Sequence, residues 1–358
     1  MGDDAELSAL LQGMADGDRR ALARLFTLLE QSAKNRSEIV KAIHPRLSGA
    51  YVIGITGPPG AGKSTIADGL VRIFREAGAR VGVLAVDPTS PFSGGAILGD
   101  RVRMRRHYLD RGVFIRSLAT RGDHGGLSRV VPAAIRLLDA FGMDVVIVET
   151  VGVGQTELEV ASTADTVVVT LVPEAGDGVQ AMKAGLMEIG DIFVVNKADR
   201  PGADRAASDI RAAVALGTPG ADWNPPVVMT EAHRGKGVQE LHDKVQEHRA
   251  SLERTSGERI SGERTSGERT SGERISGLES RRRNRLHGEF AAALREVVTA
   301  EIDAMISSDG VLSELAARVQ AGELDPYAAA EEAVRDRPLS FRKRDGEPPL
   351  LRPGSGQV

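Results

Sequence analysis

Residues 57 to 65 read GPPGAGKST, with Gly57 and Gly62 five positions apart and the second glycine followed at once by Lys63 and Ser64. This is the spacing G-x-x-x-x-G-K-[ST], and its chemistry is phosphate binding. Gly57, Pro58, Pro59, Gly60, Ala61 and Gly62 would form a turn whose backbone N–H groups curl round phosphate oxygens. The helix behind it, opened by Lys63, Ser64 and Thr65, would present its positive end to the same anion. Lys63 would reach the β and γ phosphates, and Ser64 would offer its hydroxyl to Mg2+. A second cluster, Asn196, Lys197, Ala198 and Asp199, could be a plain turn or a base reader. The carboxylate of Asp199 can accept from both the ring N–H and the exocyclic amine of guanine, donors that adenine lacks at those positions. Lys197 would cover the base with its stem, and Asn196 would tie this loop to the phosphate loop. Thr230 and Ala232, in MTEAH, resemble a second base-contacting loop. A third feature is an anomaly: the apolar run DVVIVE ends in Glu149. A carboxylate at the end of such a strand can face the Mg2+ of a phosphate site, directly or through water.

The elements that must hold these groups are legible as apolar runs. YVIGIT, VGVLAVD, VFIRSLAT, DVVIVE, TVVVTLV, DIFVVN and PPVVMT alternate with longer amphipathic segments between Tyr51 and Ala250. Runs without polar alternation fit strands covered on both faces, so the expected fold is α/β, a P-loop NTPase with a doubly wound, mainly parallel sheet. Ligands of such sheets bind beyond the carboxyl ends of the strands, where all three features fall. Residues 1–50 form an N-terminal helical segment, with Leu7, Leu10, Leu11, Leu22, Leu25, Leu28 and Leu29 at helical spacing before Pro45. The P-loop domain spans 51–250. Residues 251–278 contain repeats of Ser-Gly-Glu-Arg, whose five-residue period and recurrent glycine suit neither helix nor strand, and a disordered insert is expected. Residues 279–340 form a C-terminal helical region, and 341–358 a flexible tail. In that region Leu286, Phe290, Leu294, Val298, Ile302 and Met305 make one apolar stripe, for packing on the sheet domain or for a subunit interface.

Composition excludes several classes. The 358 residues are 41% hydrophobic, enough for a substantial core, and the formal net charge is -4 with a pI near 6.0. No general field gathers nucleic acid, and the one basic run, RRRNR at 281–285, reads as a solvated helix face. No nucleic acid and no membrane partner are expected. With no cysteine, thiolate metal sites and disulfides are excluded. The acidic start lacks a leader pattern and no apolar run approaches membrane-spanning length, so a cytoplasmic location is expected.

The segments GITGPPGAGKST, VLAVDPTSPFSGGAILGDRVRM, ETVGVGQTE, VPEAGDGVQAMKAG and VVNKAD together closely resemble the MeaB/ArgK family of GTPases. A Glu at the position of Glu149, with Gly152 three residues on, is typical of GTPases that serve as chaperones and metal-centre maturases. The resemblance implies Mg2+-dependent hydrolysis of GTP to GDP, with slow basal turnover and Lys63, Asp87 and Glu149 as the catalytic set. It implies Ser64, Asp87, Asp100 and Glu149 around Mg2+, with Asp87 and Asp100 in a first switch and ETVGVGQ as a second. A blander alternative makes Asp87 a turn former before Pro88. Asp177, Gln180 and Lys183 match a third switch that relays nucleotide state, and Asp177 could also cap a helix. Gln155 and Asp87 are candidates for positioning the attacking water. The implied client is an adenosylcobalamin-dependent acyl-CoA mutase, most of all methylmalonyl-CoA mutase, which the chain would protect, reactivate and supply with cofactor. The cobalamin belongs to that client, and no cobalamin site is assigned here. A homodimer is implied too. The Ser-Gly-Glu-Arg repeat departs from the family pattern and puts the geometry of a C-terminal dimer arm in doubt.

Two other functions remain to be weighed. Metal-delivering GTPases rely on Cys or His clusters, whereas the histidines here are scattered apart from a His242/His248 pair. An ATPase or kinase serving lysine, arginine and ornithine transport is an older label for this family, and NKAD argues against it by favouring guanine.

Overall fold

The computed structural model describes residues 2–88, 104–120, 126–150, 160–173, 185–216, 223–254, 276–308 and 310–336. Each apolar run forms a strand: β1 (Tyr51–Thr56), β2 (Val81–Pro88), β3 (Val113–Thr120), β4 (Val145–Thr150), β5 (Thr166–Leu171), β6 (Ile192–Asn196) and β7 (Val227–Thr230). They make one sheet in the order β3-β2-β4-β1-β5-β6-β7, and every pairing is parallel. β1, β4, β5 and β6 are buried along their whole length, which is why they read as unbroken Val/Ile runs.

Successive side chains leave opposite faces of each strand and feed two cores. Val52, Val146, Val148, Val167 and Val169 face one, with α2 (Arg19–Gln31), α3 (Ala33–Ile43), α5 (Gly126–Ala140) and α6 (Ala203–Ala215). Ile53, Ile55, Ile147 and Val168 face the other, under α4 (Lys63–Glu76) and α7 (Val238–Arg254). The N-terminal helices, opened by α1 (Gly2–Ala15), belong to the first core. Leu22, Leu25, Phe26 and Leu29 are fully buried, and Phe26 stacks on Phe114 of β3 with ring centroids 5.5 Å apart. Asp18 and Ser32 cap α2 and α3 by accepting from Arg20 N and Asn35 N.

Beyond Arg254 the chain is described again from Ser276, which forms a capping box with Glu279. α8 (Gly277–Ser308) follows, and here the reading of RRRNR needs correction. Arg283 and Asn284 are exposed, but Arg281 donates to both oxygens of Asp191 at 2.8 and 2.9 Å. Arg282 and Arg285 pair with Asp165 at 3.3 and 3.2 Å. Asp165 and Asp191 stand just before β5 and β6 and accept the N–H groups of Val52 and Val167. Helical charge spacing alone does not reveal that buried carboxylates wait at the amino ends of these strands. His248, also fully buried, bonds Thr166 through Nδ1 at 2.8 Å.

The chain divides into two compact units, Met1–Ala292 and Ala293–Val358. In the second, α9 (Gly310–Gln320) and α10 (Pro326–Asp336) are joined by Arg318 and Glu332 at 3.0 Å. Along α8, Leu286, Phe290, Leu294 and Ile302 of the apolar stripe are exposed, by 50%, 66%, 46% and 40%. The expected repeat lies almost wholly outside the described residues, as do Asp100, Gln155, Asp177, Gln180, Lys183 and the 341–358 tail. No described helix is long and apolar enough to cross a membrane.

Candidate functional site

Residues 57–62 fill the turn between the carboxyl end of β1 and the start of α4. Two of its glycines are dictated by geometry. Gly57 has φ +133°, and a Cβ there would stand 2.0 Å from the carbonyl oxygen of Thr170 at the end of β5. Gly62 has φ +91°, and its Cβ would meet Asn196 Nδ2 at 2.2 Å. No L side chain fits either position without displacing backbone or the neighbouring loop. Lys63 is 5% exposed and folds back into the turn, where Nζ donates to the carbonyls of Gly57 and Pro58 at 2.7 and 2.9 Å. A flexible four-carbon stem carrying a compact cation can swing from carbonyls to the more negative oxygens of a phosphate. Thr65 N closes on Gly62 O at 3.0 Å, starting the helix whose N-terminus faces this turn.

Glu149 pairs in register with Ile55 of β1 on one side and Ala85 of β2 on the other. That register carries it to the edge of the turn, where its Oε1 accepts from Ser64 Oγ at 2.5 Å. Both side chains are buried. Thr150 and Thr56, at the ends of the same two strands, are hydrogen-bonded at 3.1 Å. A hydroxyl and a carboxylate side by side are hard oxygen donors of the kind Mg2+ takes, usually one or two from protein with phosphate and water supplying the rest. Among the described residues no cluster of three or more His, Asp or Glu could hold a metal alone. Asp87 is the next-to-last residue of β2, in register with Ala119, and its backbone alone is described.

The NKAD segment leaves the carboxyl end of β6. Asn196 is 3% exposed and makes three bonds. Its Nδ2 donates to Ala61 O at 2.7 Å, and its Oδ1 accepts from Thr230 Oγ1 at 3.0 Å and Ala232 N at 3.1 Å. One amide thus joins the phosphate turn, the β6 loop and the β7 loop. Lys197 follows with φ +57°, the one non-glycine residue of positive φ among the described residues. Left-handed backbone at a residue with a Cβ costs about 1 kcal/mol and marks a position over-determined by its surroundings. Ala198 N donates to Thr230 O at 3.0 Å, and Asp199 is exposed beyond it. The geometry therefore sets a phosphate-sized turn, an oxygen-donor pair and an exposed carboxylate along one end of the sheet. Residue types and spacing do not reveal the ionic clamp behind Ala232, where Glu231 is gripped by Lys236 and Arg234.

Comparison with known proteins gives the chain's family. The family model described as "Methylmalonyl Co-A mutase-associated GTPase MeaB" matches residues 22–276. A Pyrococcus abyssi protein described as a GTPase is 47% identical over 333 residues, 92% of this chain and 96% of its own. GTPase ArgK of Escherichia coli is 35% identical over 260 residues, 70% of this chain and 78% of its own. The mouse mitochondrial methylmalonic aciduria type A homolog is 35% identical over 256 residues, 66% of this chain and 62% of its own. A crystal structure titled as an LAO/AO transport system kinase superposes with a TM-score of 0.63 at 24% identity, covering 93% of this chain and 98% of that one. At that identity the superposition speaks for the fold, a P-loop NTPase. With a family model covering most of its length behind a phosphate turn, a buried Ser64–Glu149 pair and an NKAD loop, this chain belongs to the MeaB family of GTPases.

Proposed function

We propose that this GTPase is a chaperone of an adenosylcobalamin-dependent acyl-CoA mutase, most specifically methylmalonyl-CoA mutase. It protects or reactivates that enzyme and gates its cofactor loading. The observation that carries this reading is the family match, whose description couples the GTPase to that mutase, over residues 22–276. The mouse relative, named for methylmalonic aciduria, points the same way.

In this reading Gly57 to Thr65 wrap the β and γ phosphates, with Lys63 turning from the Gly57 and Pro58 carbonyls to the transferring group. Ser64 and Glu149, with Asp87 and Asp100, would hold Mg2+, which when bound would neutralise charge on the phosphates. Asp199 accepts from guanine, and Asn196 holds Asp199's loop to the phosphate turn so that base and phosphates are read together. Asp87 and Asp100 serve the first switch, while Asp177, Gln180 and Lys183 carry the nucleotide state towards the client. The α8 stripe, with Phe290 66% exposed, serves a homodimer. The site is cytoplasmic in setting, and the cobalamin stays with the mutase.

The test is protection. A mutase turning over alone loses activity with time, and this chain with GTP and Mg2+ should slow that loss while the chain with Lys63→Ala does not. Equal decay with and without the wild-type chain would remove the chaperone reading and leave a GTPase with another client.

A further inference from the structure

The turn that follows β7, Thr230 to Gly237, is closed by a charge. Glu231 is 7% exposed, yet its partners are surface residues. Its Oε1 accepts from Lys236 Nζ at 2.6 Å and its Oε2 from Arg234 Nη1 at 3.0 Å. The backbone repeats the closure: Glu231 N donates to Lys236 O at 3.0 Å, Arg234 N to Glu231 O at 2.9 Å, and Gly235 N to Ala232 O at 3.0 Å. The return leg presses on β7 so closely that a Cβ on Gly237, at φ +76°, would stand 2.2 Å from Met229 O.

The residues on either side of Glu231 are those that meet the NKAD loop. Thr230 Oγ1 and Ala232 N both donate to Asn196 Oδ1, and Thr230 O accepts from Ala198 N. Three contacts thus reach the Asn196–Asp199 segment from the two neighbours of one clamped carboxylate. The lysine bond is the largest influence on that carboxyl, the arginine bond adds to it, and together they outweigh burial and hold it below the usual carboxylate range. It is therefore ionised, and keeps its grip, at neutral pH.

We propose that Glu231 is a positioning residue for guanine recognition. Clamped by Lys236 and Arg234, it holds Thr230 and Ala232 against Asn196 and Ala198 and so sets the aim of the Asp199 carboxylate. The proposal rests on the reading of Asp199 as the base reader. An exposed ion pair by itself is worth little in water. Here the acid is buried between the pair and the loop, so losing it frees the backbone that the base reader leans on. Glu231 does not touch the nucleotide in this scheme, and the part of its effect that passes through Asp199 bears on the exocyclic amine of guanine.

That route gives a readout that simple destabilisation would not share. GDP and IDP differ by the exocyclic amine, which is one of the two donors Asp199 accepts. Affinities of the full chain for both are measured by titration calorimetry for the wild type, E231A, E231Q, K236A and D199N. Lys236 is mostly exposed, so K236A tests the clamp without burdening the fold. The expected result is that E231A and K236A shrink the preference for GDP over IDP by about three- to tenfold, with E231Q between them and the wild type. D199N should abolish the preference. If E231A and K236A weaken GDP and IDP equally, or change neither, while D199N removes the preference, Glu231 has no part in recognition and the proposal fails alone. If D199N itself leaves the preference intact, the base-reader assignment fails and takes the proposal with it.

Discussion

Asn196→Ala is the substitution that separates a site made of three loops from three loops that merely lie close. The wild-type amide makes bonds of 2.7, 3.0 and 3.1 Å to Ala61 O, Thr230 Oγ1 and Ala232 N. All three partners are buried, so water reaches them only if the loops part. Each lost bond costs about 1 kcal/mol, giving about 3 kcal/mol for the set. If the loops part in the free protein, nucleotide binding has to bring them together again, and up to that full amount appears as lost affinity. The expected outcome is GDP affinity reduced between about ten- and hundredfold, measured by calorimetry, beside a small fall in melting temperature. If instead the loops stay in place, the loss appears mainly in the melting temperature. Affinity within about twofold of wild type together with an unchanged melting temperature would mean that the three buried bonds carry nothing and that the loops are held by other contacts.

Other expectations follow from the same geometry. Lys63→Ala should remove tight GTP binding with the fold intact by circular dichroism, and wild-type affinity would contradict the phosphate-turn assignment. Arg281→Ala leaves the Asp191 carboxylate, 9% exposed, without its bidentate partner and should cost about 2 kcal/mol. That is below the cost for a fully buried pair, because Arg281 itself reaches solvent. Urea unfolding can be followed through Trp223, the only tryptophan, which donates to Asp191 O at 2.8 Å, and a loss under about 0.5 kcal/mol would count against the docking of α8. Burial lowers the His248 pKa from 6.5 to about 4, against the pull of Asp191 and with the push of Arg281. Between those values the unfolded chain takes up a proton that the folded chain refuses, so this contribution is present above pH 6.5 and is lost as pH falls towards 4. The loss is up to about 3 kcal/mol, and His248→Asn should flatten that slope in urea titrations from pH 7 to 4.

The strands and the end of the sheet that carries the candidate site were legible because burial on both faces writes itself as unbroken Val and Ile. The motifs at 57–64 and 196–199 directly follow such runs. Strand order was not legible, since the pairing of β1 with β4 and β5 depends on contacts between distant segments. RRRNR misled for a related reason: local charge spacing describes a helix face, while the acids that capture Arg281, Arg282 and Arg285 lie more than eighty residues away in sequence. The left-handed backbone of Lys197 has no mark in its residue type, and the Glu231 clamp is spelled by ordinary surface residues whose meaning comes from the turn they close.

Whether this GTPase answers to a mutase is decided by the hydrolysis rate of the purified chain, alone and with an adenosylcobalamin-dependent acyl-CoA mutase from the same source, with ATP in parallel. Slow GTP hydrolysis that rises several-fold on adding the mutase, with no hydrolysis of ATP, is the expected result. ATP hydrolysed as fast as GTP, or a GTP rate indifferent to the mutase, would contradict it.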